Sequence, residues 1–79
     1  MPDPVDIQNA RDVLINREPI ELYKVLKFEG LVGSGGEAKT VIDHGLVSVN
    51  GDIEHRRRRK LVAGDVVVFA DVALCLVRE

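Results

Sequence analysis

The sequence has one cysteine, no tryptophan and few aromatic residues, which make up 4% of its 79 residues. A single cysteine, Cys75, excludes an intramolecular disulfide and a zinc site built from several cysteines. A secreted protein of this size usually needs disulfides, so their absence indicates a reducing, cytoplasmic setting. The shortage of aromatic rings argues against a surface that binds single-stranded RNA mainly by stacking its bases.

A long apolar run is also missing, because no stretch approaches the roughly 18 residues of a membrane-spanning helix. Residues 1–6 are acidic and contain two prolines, which is the reverse of a signal peptide. We expect residues 1–11 to form a flexible acidic arm and residues 12–79 to form one small domain. The expected protein is a cytoplasmic monomer without a membrane partner.

The basic residues are unevenly distributed. The chain has 11 basic and 13 acidic residues and a formal net charge of −2 at pH 7. Five of the basic residues are consecutive and are called the arginine run below: Arg56, Arg57, Arg58, Arg59 and Lys60. A polyanion responds to such a local patch rather than to the net charge. Arginine also offers bidentate hydrogen bonds to phosphate, so the arginine run predicts a polyanionic partner.

Two short helical patterns lie in the first half of the chain. In residues 20–29 the apolar residues recur at helical spacing, and Gly30 marks the end. Ser34 and Glu37 have the spacing of a capping box and open a second helix over about residues 35–44. The two patterns predict an αα-hairpin.

The remainder predicts short strands over residues 13–15, 46–49, 66–69 and 72–77. Asn50-Gly51 is a hairpin signal. A two-residue loop would put Glu54 beside Val47 on the buried face, so we expect a loop of about three residues that turns Ile53 inward. The predicted fold is therefore α+β, with the αα-hairpin packed on a small, mostly antiparallel sheet of four or five strands.

Several segments together resemble the RNA-binding domain of ribosomal protein S-four, also called the αL motif. They are GLV at 30–32, Ser34, the pair Ala38-Lys39, Ile42, GLVSVNG at 45–51 and GD at 64–65. The resemblance covers about residues 20–69. The larger family usually has Ser-Arg at the start of the second helix, whereas this sequence has Ser34-Gly35-Gly36. This glycine version is similar to the small single-domain subgroup of YbcJ and YaaA type. The resemblance implies the αL fold and non-catalytic binding of structured RNA, either ribosomal or transfer RNA.

The resemblance also implies an RNA surface made by the second helix, the loop before it and the following hairpin. The candidate RNA contacts are Ser34, Gly35, Gly36, Lys39, Asn50, His55, Arg56, Arg57, Arg58, Arg59 and Lys60. Independently of the family, the free N–H groups at a helix N-terminus can bind a phosphate. Gly35 and Gly36 have no Cβ, so a phosphate can come close to them. Residues 33–38 formally match the dinucleotide-binding fingerprint G-x-G-x-x-A. That motif requires a strand before its first glycine, whereas a helix is predicted there in this sequence.

Catalysis and metal binding are not indicated. His44 and His55 have no carboxylate or cysteine partner at metal-ligand spacing, and we discern no Ser/His/Asp set or carboxylate pair. We therefore expect no enzymatic activity, no metal and no cofactor. Two other functions stay open: a protein-interaction module whose arginine run binds an acidic partner, and DNA binding.

Overall fold

The computed structural model describes residues 9–79, which form two helices and seven strands. In chain order they are β1 (Asn9–Ile15), β2 (Ile20–Glu21), α1 (Leu22–Phe28), α2 (Gly35–Asp43), β3 (Val47–Val49), β4 (Asp52–Ile53), β5 (Lys60–Leu61), β6 (Val66–Phe69) and β7 (Val72–Arg78). Of the predicted acidic arm, residues 9–11 belong to β1, and residues 1–8 lie outside the described residues. In the part of the chain from residue 9 onward, no helix has the length and apolar character needed to cross a membrane.

The main sheet has five strands in the order β1-β7-β6-β3-β4. Strand β1 runs parallel to β7, and the other neighbours are antiparallel. Strands β2 and β5 form a separate two-stranded pair. The predicted α+β class with a mostly antiparallel sheet of four or five strands is confirmed with five strands, and the β2–β5 pair is an addition to it.

Helix α1 begins at Leu22, two residues later than the apolar pattern predicts. The reason is that Ile20 and Glu21 pair with Leu61 and Lys60 and are therefore extended. Gly30 follows the helix with a φ of 71°, a left-handed conformation that favours glycine.

The two helices pack on one face of the sheet through aliphatic side chains. The buried set comprises Val13, Ile15, Leu22, Val25, Leu26, Val32, Ala38, Ile42, Val47, Val49, Leu61, Val67, Val72, Leu74 and Leu76. Leu61 is fully buried directly after the arginine run. Burial of a leucine side chain contributes about 1.5–3 kcal/mol, so Leu61 fixes the end of the run to the core.

Helix α2 begins with the predicted capping box. Ser34 Oγ accepts a hydrogen bond from the Glu37 N–H at 3.1 Å. The Glu37 carboxylate in turn accepts from the N–H of Gly33 at 3.1 Å, one residue earlier than in the usual capping box. These two bonds satisfy N–H groups that the helix itself cannot, and they define where α2 starts.

The β3–β4 turn differs from the prediction. Its register pairs Val49 with Asp52, so the loop contains two residues, Asn50 and Gly51, both with positive φ. This combination is typical of a two-residue hairpin loop. Ile53 is 63% exposed, whereas Glu54 is only 8% exposed. The expected three-residue loop was wrong because it assumed that the Glu54 carboxylate could not be buried, and arginine side chains make that burial feasible.

Candidate nucleic-acid interface

The backbone of the arginine run lies against the start of α1. The Leu22 N–H donates to the Arg59 carbonyl at 2.9 Å, and the Tyr23 N–H donates to the Arg57 carbonyl at 3.2 Å. The first N–H groups of a helix have no acceptor within it, so the run supplies acceptors that α1 needs. The run therefore has a fixed path, held by α1 beside it and by buried Leu61 at its end.

The buried carboxylate of Glu54 binds two arginines of the run. It accepts from the backbone N–H, Nε and Nη2 of Arg56 at 3.0, 3.0 and 3.1 Å. It also accepts from Arg59 Nη1 at 2.6 Å. Hydrogen bonds from Arg56 and Arg59 lower the pKa of Glu54 to about 2, although burial opposes this shift. A charged Glu54 is thus part of the folded structure.

Arg57 forms a second internal ion pair, at the end of α2. Its Nε and Nη2 donate to the two carboxylate oxygens of Asp43 at 3.1 and 2.7 Å. This bidentate hydrogen bond lowers the pKa of Asp43 and raises that of Arg57. The pair ties the run to the C-terminal end of α2.

The remaining cations of the run are more available. Arg58 has a side chain that is 75% exposed, and its Nε lies 3.9 Å from the Glu21 carboxylate. Lys60 is exposed and makes no ion pair within residues 9–79. A hollow of about 500 Å³ is lined by Arg56, Arg58, Arg59 and Lys60. This cationic hollow is the part of the surface best suited to bind an anion.

The glycine loop, residues 33–36, was predicted to bind a phosphate through its N–H groups. Within residues 9–79 the N–H groups of Gly35 and Gly36 donate no hydrogen bond. A Cβ at Gly36 would lie 3.8 Å from Ser34 Oγ, an ordinary contact, so the fold itself does not require glycine there. Because the Glu37 carboxylate already binds this loop, an approaching phosphate meets a negative charge beside the free N–H groups.

Tyr23 connects the glycine loop to the arginine run. Its ring is 3.9 Å from the position of a Cβ at Gly35. The Nζ atoms of Lys39 and Lys24 lie 5.4 and 5.9 Å from the ring centroid, within range of a cation–π interaction. Sequence reasoning gave Tyr23 no role. From the sequence, only the neighbouring Lys24 could have indicated a cation–π contact. The contact with Lys39 joins α1 to α2 and depends on how the two helices pack.

Two other residues were predicted to contact RNA: Asn50, in the β3–β4 turn, and His55, which directly precedes the arginine run. Both side-chain atoms of the Asn50 amide are occupied: Nδ2 donates to Asp65 at 3.0 Å, and Oδ1 accepts from the Val66 N–H at 2.9 Å. Asn50 thus holds the hairpin turn to β6, and its contact with RNA stays a prediction. The exposed His55 lies against Gly45, where a Cβ would approach its ring to 3.3 Å.

Metal binding finds no support in the described part of the chain. Residues 9–79 contain no group of three or more His, Cys, Asp or Glu side chains placed to hold a metal ion. Cys75 is partly buried in β7 and has a free thiol.

Comparison with known proteins gives consistent matches. The S4 domain family matches residues 13–77, which include both helices, the glycine loop and the arginine run. YbcJ of Escherichia coli (strain K12) is 49% identical over 51 residues, covering 65% of this chain and 73% of YbcJ. The probable ribosome maturation protein RlbA of Bacillus subtilis (strain 168) is 41% identical over 58 residues, covering 73% of this chain and 82% of RlbA.

The fold agrees with a solved structure at nearly full length. The solution structure of Escherichia coli YbcJ, described as revealing an αL motif involved in RNA binding, matches with a TM-score of 0.64 and 35% identity. The match covers 98% of this chain and 95% of YbcJ. It confirms the predicted αL fold and the resemblance to the YbcJ type. The chain therefore belongs to the S4 domain family.

Proposed function

We propose that this protein binds structured RNA without catalysing a reaction, and that ribosomal RNA is its target. The observation that carries the proposal is the cationic hollow, in which the side chains of Arg58 and Lys60 are exposed to phosphates. The relationship to YbcJ, whose αL motif is described as involved in RNA binding, supports the RNA partner. The similarity to RlbA supports the ribosome as the place where that RNA occurs.

The extent of the candidate surface along α2 favours an extended polyanion. Arg57 binds Asp43 at the C-terminal end of α2, whereas the glycine loop precedes its N-terminal end. Nine residues at 1.5 Å each give α2 a length of about 13 Å, so one small anion does not contact both Arg57 and the glycine loop. A folded RNA presents phosphates at such separations, and Lys39 adds a cation between the two ends of the surface.

We expect recognition to rest mainly on the shape and backbone of the RNA. The hollow offers guanidinium and ammonium groups, which contact phosphates and carry no base sequence information directly. Double-stranded RNA regions are generally recognised in this way. The protein should therefore prefer a folded RNA over a DNA duplex of the same sequence.

A binding comparison tests the proposal. A hairpin RNA, a DNA duplex of matched sequence and heparin are compared by fluorescence anisotropy at one salt concentration. We expect the RNA to bind most tightly and Arg58→Ala/Lys60→Ala to weaken it at least about tenfold, since hydrogen bonds to charged groups contribute about 1.5–3 kcal/mol each. Lys27→Ala removes an exposed cation from the end of α1 and serves as the matched control.

Each alternative function gives a different result in the same assay. Equal affinity for RNA, DNA and heparin would indicate a general polyanion surface and would count against the RNA proposal. Absence of RNA binding with retained heparin binding would favour an acidic protein partner. Crosslinking in cells then identifies the RNA, and the proposal predicts enrichment of ribosomal RNA.

A further inference from the structure

A second concave surface adjoins the cationic hollow and shares Lys60 with it. It is a groove of about 540 Å³ between the segment after β1 and helix α1. Its apolar part contains Ile20 and Phe28, and its rim carries Arg17, Lys24 and Lys60. The volume falls within the roughly 300–1,000 Å³ of pockets that hold a small organic group. We call this surface the Phe28 groove.

The exposure of Phe28 needs a physical reason. Phe28 is the last residue of α1 and is 70% exposed, although the chain has only three aromatic residues. A smaller hollow of about 200 Å³ also includes Phe28 and is lined by Leu14, which is 66% exposed. Contiguous exposed apolar residues with a polar rim are typical of a binding surface.

The groove continues directly into the cationic hollow. Lys60 lines both surfaces, so its ammonium group stands at their boundary. Glu21, also in the groove, lies 3.3 Å from Lys24 Nζ and 3.9 Å from Arg58 Nε. A phosphate bound in the hollow therefore has its neighbouring nucleotide beside the groove.

The charges of the groove favour an occupant with an anionic group and an aromatic ring. Three cations, Arg17, Lys24 and Lys60, face one carboxylate, that of Glu21. A phosphate complements the excess positive charge, and a nucleobase complements the exposed ring of Phe28 by stacking. The Glu21 carboxylate offers an acceptor for an amino group of a base or a ribose hydroxyl.

We propose that the Phe28 groove holds one unpaired nucleotide of the bound RNA, with its base against Phe28 and its phosphate beside Lys60. This inference rests on the proposed RNA-binding function and extends it. It predicts that the protein distinguishes a helix with an adjoining unpaired nucleotide from a fully paired helix. The cationic hollow alone gives no such distinction, because both RNAs offer it phosphates.

Two RNAs and three variants test this inference by fluorescence anisotropy at matched salt. One RNA is a hairpin with a single-stranded tail of five nucleotides, and the other is the same hairpin without the tail. Phe28→Ala should weaken binding of the tailed RNA about 5- to 20-fold, the lower part of the range for loss of one stacked base, and leave the blunt hairpin unchanged. Phe28→Trp should retain the preference. Leu46→Ala removes another exposed apolar side chain, outside the groove, and should change neither affinity.

The outcomes separate this inference from the function on which it rests. If Phe28→Ala binds the tailed RNA as wild type does, while Arg58→Ala/Lys60→Ala weakens both RNAs, the groove inference is wrong and RNA binding stands. An equal loss for both RNAs with Phe28→Ala would also contradict a nucleotide in the groove. If wild type binds neither RNA, both proposals fail. Melting temperatures of all variants verify folding, and an unfolded Phe28→Ala is replaced by Phe28→Leu, for which the same loss is expected.

Discussion

Arg59 Nη1 lies 2.6 Å from Oε1 of Glu54, a residue that is 8% exposed and stands two positions before the arginine run. The run is therefore more than a series of exposed, mutually repelling cations. Arg56 and Arg59 surround Glu54, and Arg57 is paired with Asp43. Arg58 and Lys60 are left as the cations most available to a partner.

The first prediction concerns Glu54→Gln. The variant removes the charge that two arginines share. It also replaces one accepting oxygen with an NH2 group, which cannot accept from the arginines. Breaking a buried ion pair costs about 3–5 kcal/mol, and we expect about 1–3 kcal/mol here because the Arg56 side chain is largely exposed. Urea denaturation measures the loss. Asp52→Asn, an exposed acid in β4, is the control, and equal destabilisation by both would refute the special position of Glu54.

The second prediction follows from the lowered pKa of Glu54, about 2 when folded against an ordinary value of 4.5. A depressed pKa means that the unfolded state binds the proton first as the pH falls. The stabilisation is therefore complete above about pH 5 and is lost between pH 5 and pH 2. Urea midpoints at pH 7, 4.5 and 3 should fall steadily for wild type and less steeply for Glu54→Gln. Parallel declines would show that Glu54 contributes nothing to acid sensitivity.

The third prediction separates structural from binding arginines. Arg59→Ala leaves Glu54 with fewer donors and should lower the melting temperature. Arg58→Ala removes an exposed side chain and should leave the melting temperature unchanged while weakening RNA binding. Thermal unfolding and anisotropy on the same preparations measure both effects. If relief of charge repulsion governed the run, Arg59→Ala would instead stabilise the protein.

Much of the fold is predictable from local sequence. The capping box at Ser34 and the closing hairpin after Val66 depend on residues close together in the chain. The β3–β4 register was not predictable, because it depends on whether Glu54 finds charged partners that are themselves part of the run. The cation–π contact between Lys39 and Tyr23 and the parallel pairing of β1 with β7 join distant segments, and no local pattern encodes them.

The fourth prediction tests the glycine loop. Gly36→Ala should hold or raise the melting temperature, because glycine in a helix costs about 1 kcal/mol relative to alanine and the added Cβ makes only ordinary contacts. If the loop N–H groups meet a phosphate, the same variant should weaken RNA binding. Ser34→Ala removes the cap and should instead cost about 0.5–2 kcal/mol of stability. RNA affinity unchanged in Gly36→Ala would eliminate the glycine loop as a contact.

The salt dependence of RNA affinity tests the central claim most directly. If three to five phosphates are neutralised, a plot of log K against log salt concentration should have a slope of roughly −2.7 to −4.5. In Arg58→Ala/Lys60→Ala the slope should become shallower by about 2, whereas Lys27→Ala should retain the wild-type slope. A slope near zero for wild type, or an unchanged slope in the double variant, would contradict binding of RNA through the cationic hollow.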